Sequence, residues 1–303
     1  MGYHCVVCVK QVPDTKRLSG QAMKDDGTVN RAALPAIFNP EDLNALETAL
    51  AIRDRWGGTV TVITMGLPKA ADVLRESLFR GADRGILITD RRAAGSDTLA
   101  TSYILSCAIR RLAPDLVLCG RQAIDGDTAQ VGPQIAEKLG VTLVTYLDEL
   151  LDLRGATLRA KRNLGNGFEI VEAELPVLLT VVDTANTPRP PAARRVMKFK
   201  KARCRSEVEQ VVARELPTGG EDEKATEVAR RCLALAERGL LMGQWNLDEI
   251  GADLTWCGLK GSPTKVHRVQ SIELAGGAYR EFEASEDGVA RLVRELIEDH
   301  TIG

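Results

Sequence analysis

The feature that most constrains this chain is a regular alternation of short apolar segments and amphipathic stretches in its first half. The apolar segments are rich in β-branched residues and lack strict polar–apolar alternation; they are residues 4–9, 59–64, 85–89 and 116–119. This pattern is typical of parallel strands that are covered on both faces. Helical patterns between the segments indicate right-handed βαβ units. The sequence therefore predicts an α/β fold with a doubly wound parallel sheet of the Rossmann-like type.

The second half of the chain has a different pattern. Residues 157–162 and 168–173 flank a turn rich in Gly and Asn, which predicts an added β-hairpin. The proline-rich stretch at residues 186–191 cannot continue a helix or a strand. We therefore divide the chain into an α/β domain, residues 1–193, and an extended C-terminal helical arm, residues 194–303. The helices of the arm carry apolar stripes without obvious partners, so we expect the arm to need a partner surface.

The charge balance argues against several classes of partner. The chain has 40 basic and 42 acidic side chains, and a net charge of −2 gives no global reason to bind nucleic acid or an acidic membrane surface. No apolar run approaches the ~20 residues that a bilayer-spanning helix needs. The first residues lack the pattern of a signal peptide. We therefore expect a cytoplasmic protein without membrane insertion.

The cysteines and histidines do not predict a metal site. Seven cysteines scattered over the chain argue against a disulfide framework. Cys5 and Cys8 have the spacing of a CxxC motif, but residues three apart on a strand point to opposite faces. We expect both thiols to lie in the core. The three histidines are well separated and have no acidic or cysteine neighbours at ligand spacing.

The segment with the clearest functional signal is the loop at residues 120–132, which leads from the fourth apolar segment into a helix. Ligands of open α/β sheets bind at the carboxyl ends of strands, so the loop is well placed. Gly120 and Gly126 allow a close approach to the backbone, and the free N–H groups at the helix start favour a phosphate. Thr128 and Gln130 add hydrogen-bond donors.

Two carboxylates in this loop suit other roles. Asp125 and Asp127 would repel a phosphate, so we expect them to cap the helix or to accept a hydrogen bond from a ribose hydroxyl. The loop matches neither GxxxxGK[ST] nor GxGxxG, the standard nucleotide-binding motifs. Spacing alone therefore leaves a plain structural turn open as the alternative to a phosphate-binding loop.

Further motifs follow one another in a fixed order along the chain. They are Val-Lys-Gln-Val-Pro-Asp at residues 9–14, Asn-Pro-Glu-Asp-Leu-Asn-Ala-Leu at 39–46, Gly-Ala-Asp-Arg-Gly at 81–85, the loop at 120–133, and Pro-Val-Leu-Leu-Thr-Val at 176–181, which leads to Met-Lys-Phe-Lys-Lys at 197–201. In these motifs the chain resembles the β subunit of electron transfer flavoproteins. The likeness covers residues 3–201 and resumes at residues 250–269 and in the last helix.

The resemblance implies one half of an αβ heterodimer, with an adenine-nucleotide-binding α/β domain and an arm that packs on the α subunit. FAD is the implied cofactor of this subunit, and structural AMP is the alternative; the α subunit would hold the electron-transferring FAD. The implied pocket consists of Cys8, Val9, Asn39, Asp42, Met65, Gly120, Arg121, Gln122, Ala123, Asp125, Gly126, Asp127, Thr128, Ala129, Gln130, Val131 and Gly132. For Cys8 and Met65, simple core packing is an equal alternative.

Residues 125–133 and 257–266 resemble the electron-bifurcating branch of this family. That resemblance implies transient binding of NAD: NADH is oxidised, one electron goes to a ferredoxin or flavodoxin, and the other passes to a partner acyl-CoA or other dehydrogenase. The alternative is a non-bifurcating carrier, with structural AMP, between dehydrogenases and a quinone reductase. In both cases oxidoreductase activity is expected only within the complex. A nucleotide-binding regulatory module would explain the sheet and the loop but not residues 186–201 or the arm.

The chain departs from the family pattern in two places. Family members carry an aromatic residue and then a leucine after Asn186-x-Pro-Arg, and the leucine docks into the dehydrogenase. Here Pro190 and Ala193 stand at those positions and two arginines follow, so a basic solvated surface is the alternative reading of this segment. In addition, residues at about 207–247 form an apparent insertion, for which the sequence suggests no function.

Overall fold

The computed structural model describes residues 2–14, 35–264 and 281–298. The chain divides into two compact units, Met1–Lys265 and Val266–Gly303. Among the described residues, the larger unit contains the sheet and every α-helix but one. In the smaller unit the structure describes one helix, whose bounds are given below.

The larger unit is built on a sheet that has nine strands in the described part of the chain. The strands of this unit are β1 (Tyr3–Cys8), β2 (Gln11–Pro13), β3 (Ala36–Phe38), β4 (Gly58–Met65), β5 (Arg84–Ile88), β6 (Leu116–Gly120), β7 (Thr142–Arg154), β8 (Thr157–Asn163), β9 (Phe168–Glu174), β10 (Val177–Val181) and β11 (Gly243–Trp245). The order across the sheet is β11-β5-β4-β1-β6-β10-β7-β8-β9, and β2 and β3 form a separate antiparallel pair. The strands from β11 to β7 are parallel, whereas β7, β8 and β9 pair antiparallel.

The predicted parallel sheet and the predicted hairpin are both confirmed. The hairpin is β8–β9, paired from Thr157 opposite Glu174 to Asn163 opposite Phe168. Two strands of the nine-stranded sheet were not expected from the sequence, and neither was the separate pair β2 and β3. The long strand β7 continues the sheet into the hairpin, and the three-residue strand β11 pairs with β5 at the other edge. A segment as short as β11 has no periodicity to read, and its pairing depends on tertiary packing.

Helices cover both faces of the sheet, as a doubly wound fold requires. The described helices of the larger unit are α1 (Pro40–Trp56), α2 (Ala71–Arg80), α3 (Thr98–Leu112), α4 (Val131–Leu139), α5 (Ala193–Phe199), α6 (Arg205–Glu215) and α7 (Glu221–Glu237). The described helix of the smaller unit is α8 (Glu286–Glu298). Helices α1 and α2 bury Leu46, Leu50 and Leu74 in one core cluster, while α3 and α4 bury Ile104 and Ile135 in another.

The side chains of β1 belong to both core clusters. Cys5 lies in the cluster beneath α1 and α2, and Cys8 lies in the cluster beneath α3 and α4. The alternation of side chains along a strand therefore places the two thiols on opposite faces, as predicted. They do not form a shared ligand pair.

Residues 194–264, the first part of the predicted arm, belong to the larger unit. Phe199, Cys204 and Met242 are buried in the core cluster under α1 and α2, and Leu247 is buried in the other. The compact unit therefore runs past residue 193, because this segment buries its apolar side chains against the sheet. Helices α6 and α7 form a small cluster of their own within the segment that resembles an insertion.

Candidate functional site

A cavity of about 440 Å³ opens at the carboxyl ends of β1, β4 and β6. Its walls are the loop between β6 and α4 and the first turn of α3. Most residues that the sequence indicated for the site line it: Cys8, Val9, Asp42, Met65, Gly120, Arg121, Gln122, Ala123, Gly126, Asp127, Thr128, Ala129, Gln130, Val131 and Gly132. Asn39 and Asp125 are the two indicated residues that do not line this cavity.

Asn39 is fully buried and braces the loop from behind. Its side-chain Nδ2 donates to the carbonyl of Gln122 at 2.8 Å, and its Oδ1 accepts from the amide of Ile124 at 3.1 Å. Asn39 also precedes α1, whose first residue is Pro40, but its side chain makes no capping hydrogen bond there. One buried carboxamide thus fixes the start of α1 against the loop.

The first turn of α1 holds the same loop with two buried carboxylates. Glu41 accepts from the amide of Gln122 at 2.8 Å and forms an ion pair with Arg121 at 2.8 Å. Asp42 accepts from the amides of Lys10 at 2.8 Å and Gly120 at 3.0 Å. The carboxyl ends of β1 and β6 are therefore joined through one helix start.

Burial raises the pKa of the Asp42 carboxyl to about 7, and the hydrogen bonds from Asn39, Lys10 and Gly120 oppose this rise. The neighbouring charge of Glu41 raises it further. A desolvated carboxyl is costly to ionise, so its charge depends on the amides that face it. The hydrogen bonds by which Asp42 joins β1, β6 and α1 therefore depend on pH.

The two loop aspartates do not cap α4, which corrects the expectation from the sequence. The residue before the helix is Gln130, and it makes no side-chain cap. Asp125 instead forms an ion pair with Lys10 across the loop, at 2.7 Å. Asp127 lines the cavity with its backbone in the left-handed region, at φ 47°. Lys10 comes from the end of β1, so its pairing could not be inferred from the loop alone.

The loop backbone changes the sign of φ just before α4. Ala129 has φ 52° and Gln130 has φ −97°. Alternating signs of φ orient successive N–H groups into a concavity that suits an anion. Within the described residues, the amides of Thr128, Ala129 and Gln130 donate to no protein acceptor. Together with the positive end of the α4 dipole, they form a ready site for a phosphate.

The three glycines of the loop have different surroundings. A Cβ on Gly120 would lie 2.5 Å from Oδ1 of Asp42, and one on Gly132 would lie 2.8 Å from the sulfur of Cys119. These two positions require glycine for packing within the chain. A Cβ on Gly126 would meet no protein atom within 4 Å, and its φ lies outside the left-handed region. Gly126 therefore has a backbone conformation that other residues can adopt, and the open space beside it is consistent with the close approach expected from the sequence.

The sequence reading missed the opposite wall of the cavity, at the start of α3. Further lining residues are Lys10, Ile63, Ser96, Asp97, Thr98, Thr101, Leu105 and Cys119. Asp97 caps α3 by accepting from the amide of Ala100 at 3.0 Å, and Thr98 donates to Oε1 of Gln130 at 2.9 Å. The sequence could have indicated this wall, because the helix that follows β5 must also begin at the carboxyl edge of the sheet.

The thiols in the cavity are not activated. Burial raises the pKa of Cys8 to about 12 and raises that of Cys119 well above its usual value. Both therefore remain protonated and act as small apolar groups. Among the residues that the structure describes, no group of three or more His, Cys, Asp or Glu could hold a metal ion. The site offers an apolar floor, free amides and hydroxyls, which suit binding of a nucleotide.

Comparison with known proteins identifies one family. Residues 26–212 match the electron transfer flavoprotein domain. The chain is 39% identical to an electron transfer flavoprotein subunit beta of Clostridium acetobutylicum over 297 residues, which cover 98% of this chain and 99% of that one. It is 40% identical to the acryloyl-CoA reductase electron transfer subunit gamma of Anaerotignum propionicum, covering 98% of each chain. Protein FixA of Azorhizobium caulinodans is 40% identical over 88% of this chain and 83% of its own.

In the described segments, none of the helices combines the length and the apolar character needed to cross a membrane. The parallel sheet, the cavity at its carboxyl edge and near-complete coverage by these relatives lead to one assignment. The chain belongs to the electron transfer flavoprotein family, among its β subunits.

Proposed function

We propose that this chain is the β subunit of a heterodimeric electron transfer flavoprotein and that it binds FAD in the cavity at the edge of its sheet. The observation that carries this proposal is the chemistry of the two facing walls. One wall presents the free amides of residues 128–130 to a phosphate. The other presents the carboxylate of Asp97 and the hydroxyls of Thr98 and Thr101.

The wall formed by α3 favours FAD over a nucleoside monophosphate. A carboxylate next to two hydroxyls suits a chain of hydroxyl groups, because its oxygens accept hydrogen bonds from hydroxyls. AMP has one phosphate and one ribose, so it would engage the amide wall and leave much of this polar wall unused. FAD carries a hydroxyl-rich chain beyond its phosphates and therefore uses both walls.

The apolar floor of the cavity supports the same assignment. Cys8, Ile63 and Leu105 line it, and all three are buried or nearly so. A flat aromatic ring gains from contact with such side chains, while the polar walls set its orientation. Arg121 and Lys10 add positive charge at the rim, although each is paired with a carboxylate, Glu41 and Asp125 respectively.

FAD held there would supply the redox chemistry of the complex: it would take hydride from NADH and pass the electrons singly, one to a ferredoxin or flavodoxin and one through the α-subunit FAD to a partner dehydrogenase. The residues of this chain bind and orient the cofactor. The hydrogen bonds that Asn39, Glu41 and Asp42 make to the loop keep it in place, and the protonated thiols of Cys8 and Cys119 form part of the apolar lining.

A second subunit fits the surface of the smaller unit. Helix α8 leaves Val289, Leu292, Val293 and Ile297 between 37% and 55% exposed along one stripe. A full stripe of this kind on a surface helix needs a covering partner. We assign this role to the α subunit.

The test is a coupled reduction assay on the complex copurified with its α subunit. NADH is supplied with a ferredoxin or flavodoxin, with or without the second acceptor, the partner dehydrogenase and its substrate. The proposal predicts that the low-potential acceptor is reduced only when the second acceptor is present. Failure of NADH to reduce either acceptor would contradict bifurcation. The non-bifurcating carrier with structural AMP would then be the remaining assignment.

A further inference from the structure

The segment at residues 257–264 lies next to the cavity without lining it. The amide of Gly258 donates to Oγ of Ser96 at 3.1 Å, and Oγ of Ser262 accepts from the amide of Asp97 at 2.9 Å. The amide of Thr264 donates to Oδ2 of Asp97 at 3.1 Å. The segment therefore makes three hydrogen bonds to the two residues that begin the α3 wall.

Close packing fixes the same contact. A Cβ on Gly258 would lie 2.2 Å from the carbonyl oxygen of Arg92, and one on Gly95 would lie 2.6 Å from the side chain of Leu259. Both glycines have positive φ, at 59° and 75°. The segment thus fits against the loop before α3 only because neither residue has a side chain.

The residues just before the segment are also anchored on α3. Oη of Tyr103 accepts from the amide of Asp253 at 2.8 Å, and the ring centroids of Tyr103 and Trp256 are 6.4 Å apart. Ser262 is buried, and its hydroxyl donates to the carbonyl of Gly258 at 2.7 Å. The contact is therefore a defined tertiary interface that extends over the first two turns of α3.

We propose that residues 257–264 are a positioning element of the nucleotide cavity, and that nucleotide binding and the docking of this segment strengthen each other. Asp97 links the two, since one carboxylate caps α3, accepts from Thr264 and lines the cavity. When the segment leaves, Ser96 and Asp97 lose the partners that hold them, and the α3 wall is no longer fixed. The inference rests on the proposed nucleotide site.

The first test measures the affinity of the full chain for AMP, in complex with its α subunit and after removal of bound nucleotide. AMP is the probe because it is the part common to AMP and FAD. Ser262→Ala removes the acceptor for the Asp97 amide and should weaken AMP binding by about two- to tenfold. The matched control is Ser106→Ala, which removes an equally buried hydroxyl from α3 that bonds only to Tyr103 within the same helix. The control should bind AMP as the wild type does.

The second test uses the thiol of Cys257 as a reporter of docking. Cys257 is 3% exposed, so a thiol reagent reaches it only when the segment opens, and mass spectrometry identifies the labelled position. Saturating AMP should slow labelling of Cys257 severalfold. Coupling between AMP binding and docking of the segment is reciprocal, so this factor should equal the factor by which undocking weakens AMP binding. Cys232 on α7 is half-buried, lies outside both sites, and should label at an unchanged rate.

The outcomes separate the two proposals. Protection of Cys257 together with weaker AMP binding by Ser262→Ala supports the positioning role. If AMP binds and protects Cys119 in the cavity, but Cys257 labels at the same rate and Ser262→Ala binds normally, the positioning role is refuted and the nucleotide site stands. If AMP neither binds nor protects Cys119, both proposals fail.

Discussion

Replacement of Asn39 by alanine should weaken nucleotide binding, although Asn39 does not line the cavity. The side chain is fully buried, donates to the carbonyl of Gln122 and accepts from the amide of Ile124. A neutral hydrogen bond contributes about 0.5–1.5 kcal/mol, and a buried group left unpaired costs about 1–3 kcal/mol. We therefore expect Asn39→Ala to lower the free energy of unfolding by about 2–4 kcal/mol and to release residues 122–124 from α1.

The matched control is Asn44→Ala, five residues further along the same helix. Asn44 is also buried, and its Nδ2 donates to the carbonyls of Asn186 at 2.7 Å and Asp183 at 3.2 Å. Loss of the Asn44 side chain should lower the free energy of unfolding by a similar amount, but the contacts that it removes are to residues 183–186 and not to the loop of the cavity. Urea unfolding measures both costs, and AMP titration measures the affinity.

Asn39→Ala should weaken AMP binding at least about tenfold, which corresponds to about 1.4 kcal/mol, while Asn44→Ala leaves it unchanged. The reasoning would be refuted if both variants lost similar stability and both bound AMP like the wild type. That result would mean that the position of the loop does not depend on the brace from α1.

Three further predictions concern the same cavity. The pKa of Asp42 is raised to about 7 in the folded chain, so the folded state holds this proton more tightly than the unfolded state. The stability of the wild type should therefore fall relative to that of Asp42→Asn as the pH rises from about 4 to 7. Urea unfolding at each pH measures this difference. Thr128→Val should weaken AMP binding about ten- to a hundredfold by removing one hydrogen bond to a charged phosphate, while Thr128→Ser keeps it, as titration would show. Gly120→Ala should destabilise the chain by about 1–3 kcal/mol because its Cβ would overlap Asp42, whereas Gly126→Ala should unfold at the same urea concentration as the wild type.

The sequence was sufficient for the sheet because its signals are local. The runs at β1, β4, β5, β6 and β10 carry their own apolar character, and the helical patterns between them determine the crossovers. β11 was not foreseen, since Gly243, Gln244 and Trp245 pair with β5 only once the chain before them has folded.

The cavity was predictable on one wall and not on the other. The loop at residues 120–132 combines glycines, a strand before it and a helix after it within one short stretch. The α3 wall is brought to it by tertiary packing, because β5 and β6 are separated in the sheet by β4 and β1. For the same reason the role of Asn39 as a brace could not be read from its sequence position, since its partners lie more than eighty residues away.

The proposed function requires one FAD in the cavity of this chain in addition to the FAD of the α subunit. The most direct measurement is the number of FAD and AMP molecules released per denatured heterodimer, for the wild type and for the Asn39→Ala and Asn44→Ala variants. We expect two FAD in the wild type and in Asn44→Ala, and fewer than two in Asn39→Ala, because the affinity of this cavity falls while the other flavin is held by the α subunit. One FAD together with one AMP in the wild type would contradict the proposed function.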